Sequence, residues 1–148
     1  MITSIVVAFD GSEAATRALQ MGCELALKFD AKLEVSHTPL EETVTYAAEA
    51  ISGFYVGPTA AHDEMLREAA EKLAGQARDI AAAAGVPAVE VHIGHGDPTE
   101  NVLGRAKAAN ADLIVTGRRG LGAVKGLFLG STSQSISKGA SCAVLTVV

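Results

Sequence analysis

The sequence predicts an α/β fold, a doubly wound five-stranded parallel sheet with helices on both faces. Three observations lead there. Short apolar runs alternate with longer amphipathic ones from one end of the chain to the other. The short runs are almost continuously apolar, as strands buried on both faces are, instead of alternating apolar and polar. Helix caps and turn residues fall at the junctions between the two kinds of run. Such an order joins parallel strands through right-handed helical crossovers.

Ile2 to Phe9 reads as the first strand, carried by Ile5, Val6 and Val7, and it ends in Asp10-Gly11-Ser12. Ser12 is suited to cap a helix, and Ala15, Leu19, Gly22 and Ala26 recur at helical spacing to about Phe29. Lys32 to His37 is a second strand. Thr38 to Thr59, with Pro39, Gly53, Gly57 and Pro58, has no clean period and reads as a long irregular connection of the kind that forms lids. From Asp63 to Ala84 one apolar stripe, Leu66, Ala69, Leu73, Ala77, Ile80 and Ala84, marks a second helix stopped by Gly85. Ala88 to Ile93 is the third strand. Asp97-Pro98-Thr99-Glu100 supplies a cap, a first-turn proline and an acid placed for a capping box, so a third helix runs to about Ala109. Asp112 to Thr116 is strand four, Ser131 to Lys138 a last helix and Ala143 to Val148 strand five.

With 148 residues the chain has the size of one domain, spanning 1–148, around one core. Hydrophobic residues at 49% and charged residues at 20% allow that core to be substantial, which excludes a disordered chain. A net charge of -5 opposes general binding to nucleic acid or to an anionic membrane. No stretch is long and apolar enough to span a bilayer, and Met1 to Asp10 lacks the features of a signal peptide, so a cytoplasmic location is expected. Cys23 and Cys142 each lie in an apolar run and read as buried thiols, not as a disulfide or a metal pair. Charge is uneven, however. After Asp112 there is no Asp or Glu, while Arg118, Arg119, Lys125 and Lys138 all follow it, so this quarter is locally suited to a small anion.

In a doubly wound sheet, ligands sit beyond the carboxyl ends of the strands, where strand order reverses. That directs attention to Asp10 to Ser12, His37 to Leu40 and Gly117 onward. The strongest local signal is Gly117-Arg118-Arg119-Gly120, nine residues, then Gly130-Ser131-Thr132. Glycines let a backbone approach phosphate oxygens closely, and a helix start adds unpaired N–H donors and a favourable dipole. Either glycine alone would make an ordinary turn; the array with its arginines favours a phosphate site, with hydroxyls at Ser131, Thr132 and Ser133 near at hand. Gly120-Leu121-Gly122 is a poor dinucleotide fingerprint, since it follows the fourth strand with no acid downstream. A P-loop is absent. His92 and His95 are neighbours, but a zinc site needs more ligands, and nothing near them in sequence supplies any. His37 reads as a polar residue at a strand end, and Asp10 gains interest from its place at the end of the first strand.

Over essentially its whole length the chain resembles the universal stress proteins, and specifically their nucleotide-binding branch. The resemblance rests on Ile5 to Ser12, Gly94-His95-Gly96-Asp97-Pro98, Asp112 to Gly117, Leu129 to Ser133 and Ala143 to Val147. The family's pattern of glycine, two residues, glycine, nine residues, glycine and serine is met by Gly117, Gly120, Gly130 and Ser131. The resemblance implies strand order 3-2-1-4-5, a fold like that of the adenine nucleotide alpha hydrolases, ATP (or ADP or AMP) with Mg2+ or Mn2+, and homodimers pairing through the last strand, Ala143 to Val148. It implies that Asp10, with Ala8 beside it, helps hold the nucleoside or its metal, that the backbone around Thr38 borders adenine and that Gly117 lines the ribose. Gly120, Gly130, Ser131, Thr132 and Ser133 would surround the phosphates, with Leu121 to Leu129 closing over them. Many relatives carry serine and histidine where this chain has Arg118 and Arg119, and a guanidinium there suits phosphate. A nucleotide-responsive regulator without catalytic residues is the reading favoured. The alternatives are a slow ATPase in which Asp10 or His37 positions a water, and a dimerisation module with a vestigial pocket.

Overall fold

The computed structural model describes residues 1–39, 60–120 and 130–148. Five strands, β1 (Ser4–Ala8), β2 (Lys32–His37), β3 (Glu90–Ile93), β4 (Leu113–Gly117) and β5 (Ala143–Val147), form one sheet in the order β3-β2-β1-β4-β5. Every neighbouring pair is parallel. Among the described residues, four helices, α1 (Glu13–Phe29), α2 (Ala60–Ala83), α3 (Pro98–Ala108) and α4 (Ser131–Gly139), accompany them. The expected α/β fold and strand order are both present.

Two cores explain the strand pattern. Ile5, Val7, Phe9, Leu33, Val35, Leu113 and Val115 point to the face covered by α1 and α2. Val6 and Ile114 point to the face covered by α3 and α4, where Val102, Ala106 and Ile136 meet them. Each fully buried Val, Leu or Ile contributes on the order of 1.5–3 kcal/mol, which is why the central strands are apolar on both faces. The α1 stripe is buried as its spacing predicts. Along α2 the fully buried line is Ala70, Ala74, Ala77 and Ala81, with Leu73 and Ile80 flanking it, so small residues mark where the helix comes closest to the core.

Caps act as read. Ser12 Oγ accepts the Ala15 N–H at 3.2 Å, and Asp97 Oδ1 accepts the Glu100 N–H at 2.9 Å ahead of Pro98. Three helices end through a residue in the left-handed region, Asp30, Gly85 and Asn110, each followed by an N–H returning to a carbonyl five residues earlier. Only Gly85 is evident from sequence. At the amino ends of β1 and β4 Asp112 accepts the Thr3 N–H, the Thr3 hydroxyl and the Ser4 N–H, and these bonds hold its carboxyl below the usual range.

The boundaries differ in instructive ways. β3 begins at Glu90, not Ala88, and β1 occupies the middle of the Ile2 to Phe9 run. Gly117 is the last residue of β4 instead of the first of a loop, because it pairs with Val147. The lid expected between Thr38 and Thr59 lies, beyond Pro39, outside the described residues, as does the closing stretch Leu121 to Leu129. Cys23 is fully buried, and burial pushes its thiol up to about 11; Cys142 is half-buried, and both are free. Among the described residues no helix is long and apolar enough to cross a membrane.

Candidate functional site

Strand order reverses between β1 and β4, so the loops leaving their carboxyl ends part and open a crevice there. Asp10 stands just beyond β1, where its Oδ1 accepts the Ser12 N–H at 2.9 Å. Gly120 lies directly against the other carboxylate oxygen: a β-carbon at position 120 would overlap Asp10 Oδ2. Glycine thus lets residue 120 lie against the Asp10 carboxylate without displacing it.

The two glycine clusters meet. The Gly130 N–H donates to the Arg118 carbonyl at 2.8 Å, and a β-carbon on Gly130 would stand 3.5 Å from Arg118 O and Arg119 Cα and 3.8 Å from Gly120 N. Gly130 is the extended N-cap of α4 and offers no side chain to the first turn. The early N–H groups of α4 therefore point out at this corner, next to Gly120 and beside the exposed Ser131 and half-buried Thr132.

Not every candidate faces the crevice with its side chain. Ser133 is buried, and its hydroxyl donates to the Gly117 carbonyl at 2.5 Å and lies 3.4 Å from Thr116 Oγ1. That hydroxyl ties α4 to the end of β4, and only the backbone of Ser133 belongs to the helix start. Gly117 presses on the first turn of α1, where a β-carbon would lie 2.8 Å from Ala14 C and 2.9 Å from Ala15 N. Packing alone requires glycine there. Arg118 is exposed, with its N–H donated to the Val147 carbonyl at 2.6 Å. Arg119 is half-buried, and its Nε is a buried donor with no hydrogen-bond partner among the described residues.

Ala8 pairs with Ser36, and Thr38 sits on the β2 side of the crevice. The Thr38 side chain turns toward α3: its Oγ1 accepts from Asn101 Nδ2 at 3.0 Å, and the same amide group donates to the His95 carbonyl at 2.9 Å. Asn101, unnoticed in sequence, fixes the ends of β2 and β3 to α3, and a β-carbon on Gly94 would strike it at 2.5 Å. A lone Asn in the first turns of a helix gives no sign of this role. His37 is 2% exposed and donates from Nδ1 to the Phe9 carbonyl at 2.9 Å, linking the ends of β1 and β2 beside Asp10. Burial lowers its pKa, opposed by the Phe9 bond and the Asp10 charge, so it is kept neutral.

Comparison with known proteins matches this geometry to a family. The model of the universal stress protein family matches residues 1–148. A universal stress protein of Thermus aquaticus is 38% identical over 147 residues, covering 99% of both chains. Universal stress protein YxiE of Bacillus subtilis is 33% identical over 150 residues, again with 99% of each chain covered. Among solved structures, universal stress protein UspA from Lactobacillus plantarum superposes with a TM-score of 0.73 at 24% identity, covering 99% of this chain and 98% of that one. A universal stress protein in complex with cAMP gives 0.70 at 22%, covering 99% and 97%. The universal stress protein from Archaeoglobus fulgidus in complex with dAMP gives 0.65 at 22%, with both chains covered in full. Matched from end to end in sequence and in fold, this chain belongs to the universal stress protein family.

Proposed function

We propose that this protein is a nucleotide-responsive regulator that binds an adenine nucleotide, ATP (or ADP or AMP) with Mg2+ or Mn2+, as one domain spanning 1–148. The observation that carries the reading is the junction of Gly117–Gly120 with Gly130 at a helix start that has no side-chain cap. Converging backbone N–H groups and an unpartnered guanidinium donor suit a chain of phosphates. The residues fit the ligand. Gly120 sets its backbone against the Asp10 carboxylate and Gly130 adds no side chain beside it, Ser131 and Thr132 place hydroxyls at the rim, and Asp10 supplies a carboxylate for a ribose hydroxyl or the metal. The bound metal would supply charge neutralisation of the phosphates. Two structural neighbours whose complexes contain cAMP and dAMP support an adenine base. A regulator is preferred to a slow ATPase because His37 is buried and its Nδ1 is committed to Phe9, an arrangement suited to tying strands together. We assign no catalytic residue. The free thiols fit a cytoplasmic setting. The β5 edge, which carries no charged side chain, suits pairing with a second copy; a monomer by light scattering would contradict that.

Arg119 bears the sharper test. Arg119→Ala is expected to weaken ATP binding by about tenfold or more, the scale of one charge-assisted hydrogen bond, while leaving adenosine affinity unchanged; Arg118→Ala should do less. Isothermal calorimetry with magnesium decides it. Equal ATP affinity in Arg119→Ala removes the arginine from the site, whereas absence of heat from every adenylate with the wild type removes the nucleotide reading itself.

A further inference from the structure

Far from the crevice, at the β3 edge of the sheet, the fold gathers a second group of polar side chains. Glu34 of β2 stands in register with Glu90 of β3, and His92 lies two residues on, so all three point to the face covered by α3. Glu34 is 1% exposed, His92 half-buried and Glu90 exposed. The carboxylates are oriented in a paired way. Both Oε1 atoms face Lys32, whose Nζ lies 2.8 Å from Glu34 and 3.3 Å from Glu90. Both Oε2 atoms face the imidazole, with His92 Nε2 at 3.1 Å from Glu34 and 3.5 Å from Glu90. From α3, Arg105 Nε approaches Glu34 Oε2 at 2.7 Å. Close as they are, Glu34 Oε2, His92 Nε2 and Arg105 Nε are buried atoms without an aligned hydrogen bond among the described residues.

Those distances suit a metal ion. A tetrahedral ion with bonds of ~2.0 Å to nitrogen and oxygen has donor-to-donor edges of ~3.3 Å, and the two His92 edges fall on either side of that value. A proton on Nε2 can point at one carboxylate only, and neither contact has the alignment of a hydrogen bond. We propose that Glu34, Glu90 and His92 form a site for a divalent transition metal of the zinc class, with its fourth position open to solvent on the Glu90 side. Imidazole with two carboxylates is a donor set that such ions accept. Lys32 holds the outer oxygens of both carboxylates, Arg105 approaches the inward oxygen of Glu34 itself, and their charge makes the site weaker than a closed structural zinc centre. His92 gains from the sheet and not from its sequence neighbour: its ligand partners arrive from β2 and from two residues upstream, while His95 is exposed and takes no part.

The test uses the full chain, freed of metal by a chelator and free of nucleotide, titrated with cobalt(II). One ion per chain is expected, with the visible absorption of a low-coordinate cobalt centre. His92→Gln, at a half-buried position, and Glu90→Gln, at an exposed one, should each weaken binding by about tenfold or more while preserving the circular dichroism spectrum, and His95→Gln should change nothing. Absence of a cobalt complex with the wild type, or one of equal affinity in His92→Gln, would reduce the group to a network of ion pairs. Neither result bears on nucleotide binding.

Discussion

Gly117→Ala will lower stability by about 3 kcal/mol, the upper part of the range for overpacking, and lower the thermal midpoint by roughly 6–12 °C. The added methyl would stand 2.8 Å from Ala14 C and 2.9 Å from Ala15 N, both backbone atoms of the first turn of α1 that no rotamer change can move aside. Since the Gly117 carbonyl also receives the Ser133 hydroxyl, displacement of the strand end should carry the start of α4 with it. Thermal and urea unfolding check the first effect. Gly104→Ala is the control: nothing lies within 4 Å of a β-carbon there, and an exposed helical glycine replaced by alanine should be neutral or stabilising. A Gly117→Ala protein as stable as the wild type would show that β4 and α1 are not locked together at the crevice.

Arg105→Ala will destabilise by a comparable amount, about 3 kcal/mol, the lower edge for breaking a buried pair. Removal of the guanidinium leaves Glu34, 1% exposed, with Lys32 as its principal counter-charge. Burial pushes the Glu34 carboxyl up, but the Lys32 hydrogen bond and the charges of Arg105, Lys32 and His92 outweigh it and hold the pKa below the ordinary carboxylate value. A depressed carboxylate stabilises the fold above its unfolded pKa and loses that contribution as pH falls through the folded value. Acid unfolding should therefore begin at higher pH in Arg105→Ala than in the wild type. The double variant Arg105→Met with Glu34→Leu should recover much of the loss, because a matched apolar pair leaves no charge stranded. An Arg105→Ala chain with unchanged unfolding at neutral and at acid pH would mean that the ion pair contributes nothing.

Much of the fold is legible because its signals are local. Val6 and Val7 announce a strand buried on both faces, Ser12 and Asp97 cap the helices they precede, and Gly85 ends one. What was misread depends on tertiary partners. Gly117 looks like a loop residue by propensity, yet Val147 and α1 hold it in the sheet. Ser133 looks like a phosphate donor, but its hydroxyl lies on the buried side of the first turn of α4 and donates to the Gly117 carbonyl. Glu34 carries a usable signal, a lone acid flanked by the apolar Leu33 and Val35. Its partners nonetheless come from a neighbouring strand and from α3, and parallel pairing joins residues with no relation in sequence. His92 meets Glu34 by the same cross-strand route. Within the crevice, the spacing of Gly117, Gly120 and Gly130 is legible in the sequence, whereas their contact across nine intervening residues is visible only in the fold.

Amide resonances of the isotopically labelled chain, followed while ATP and magnesium are added, test the central claim most directly. Shifts should be largest at Gly117, Arg119, Gly120, Gly130, Ser131 and Thr132, with Leu103, Gly104 and Ser141 at the far end of the α3–α4 face unmoved. A spectrum unchanged at saturating nucleotide, or one whose changes centre away from the two glycine clusters, would contradict the assignment of this crevice as the adenylate site.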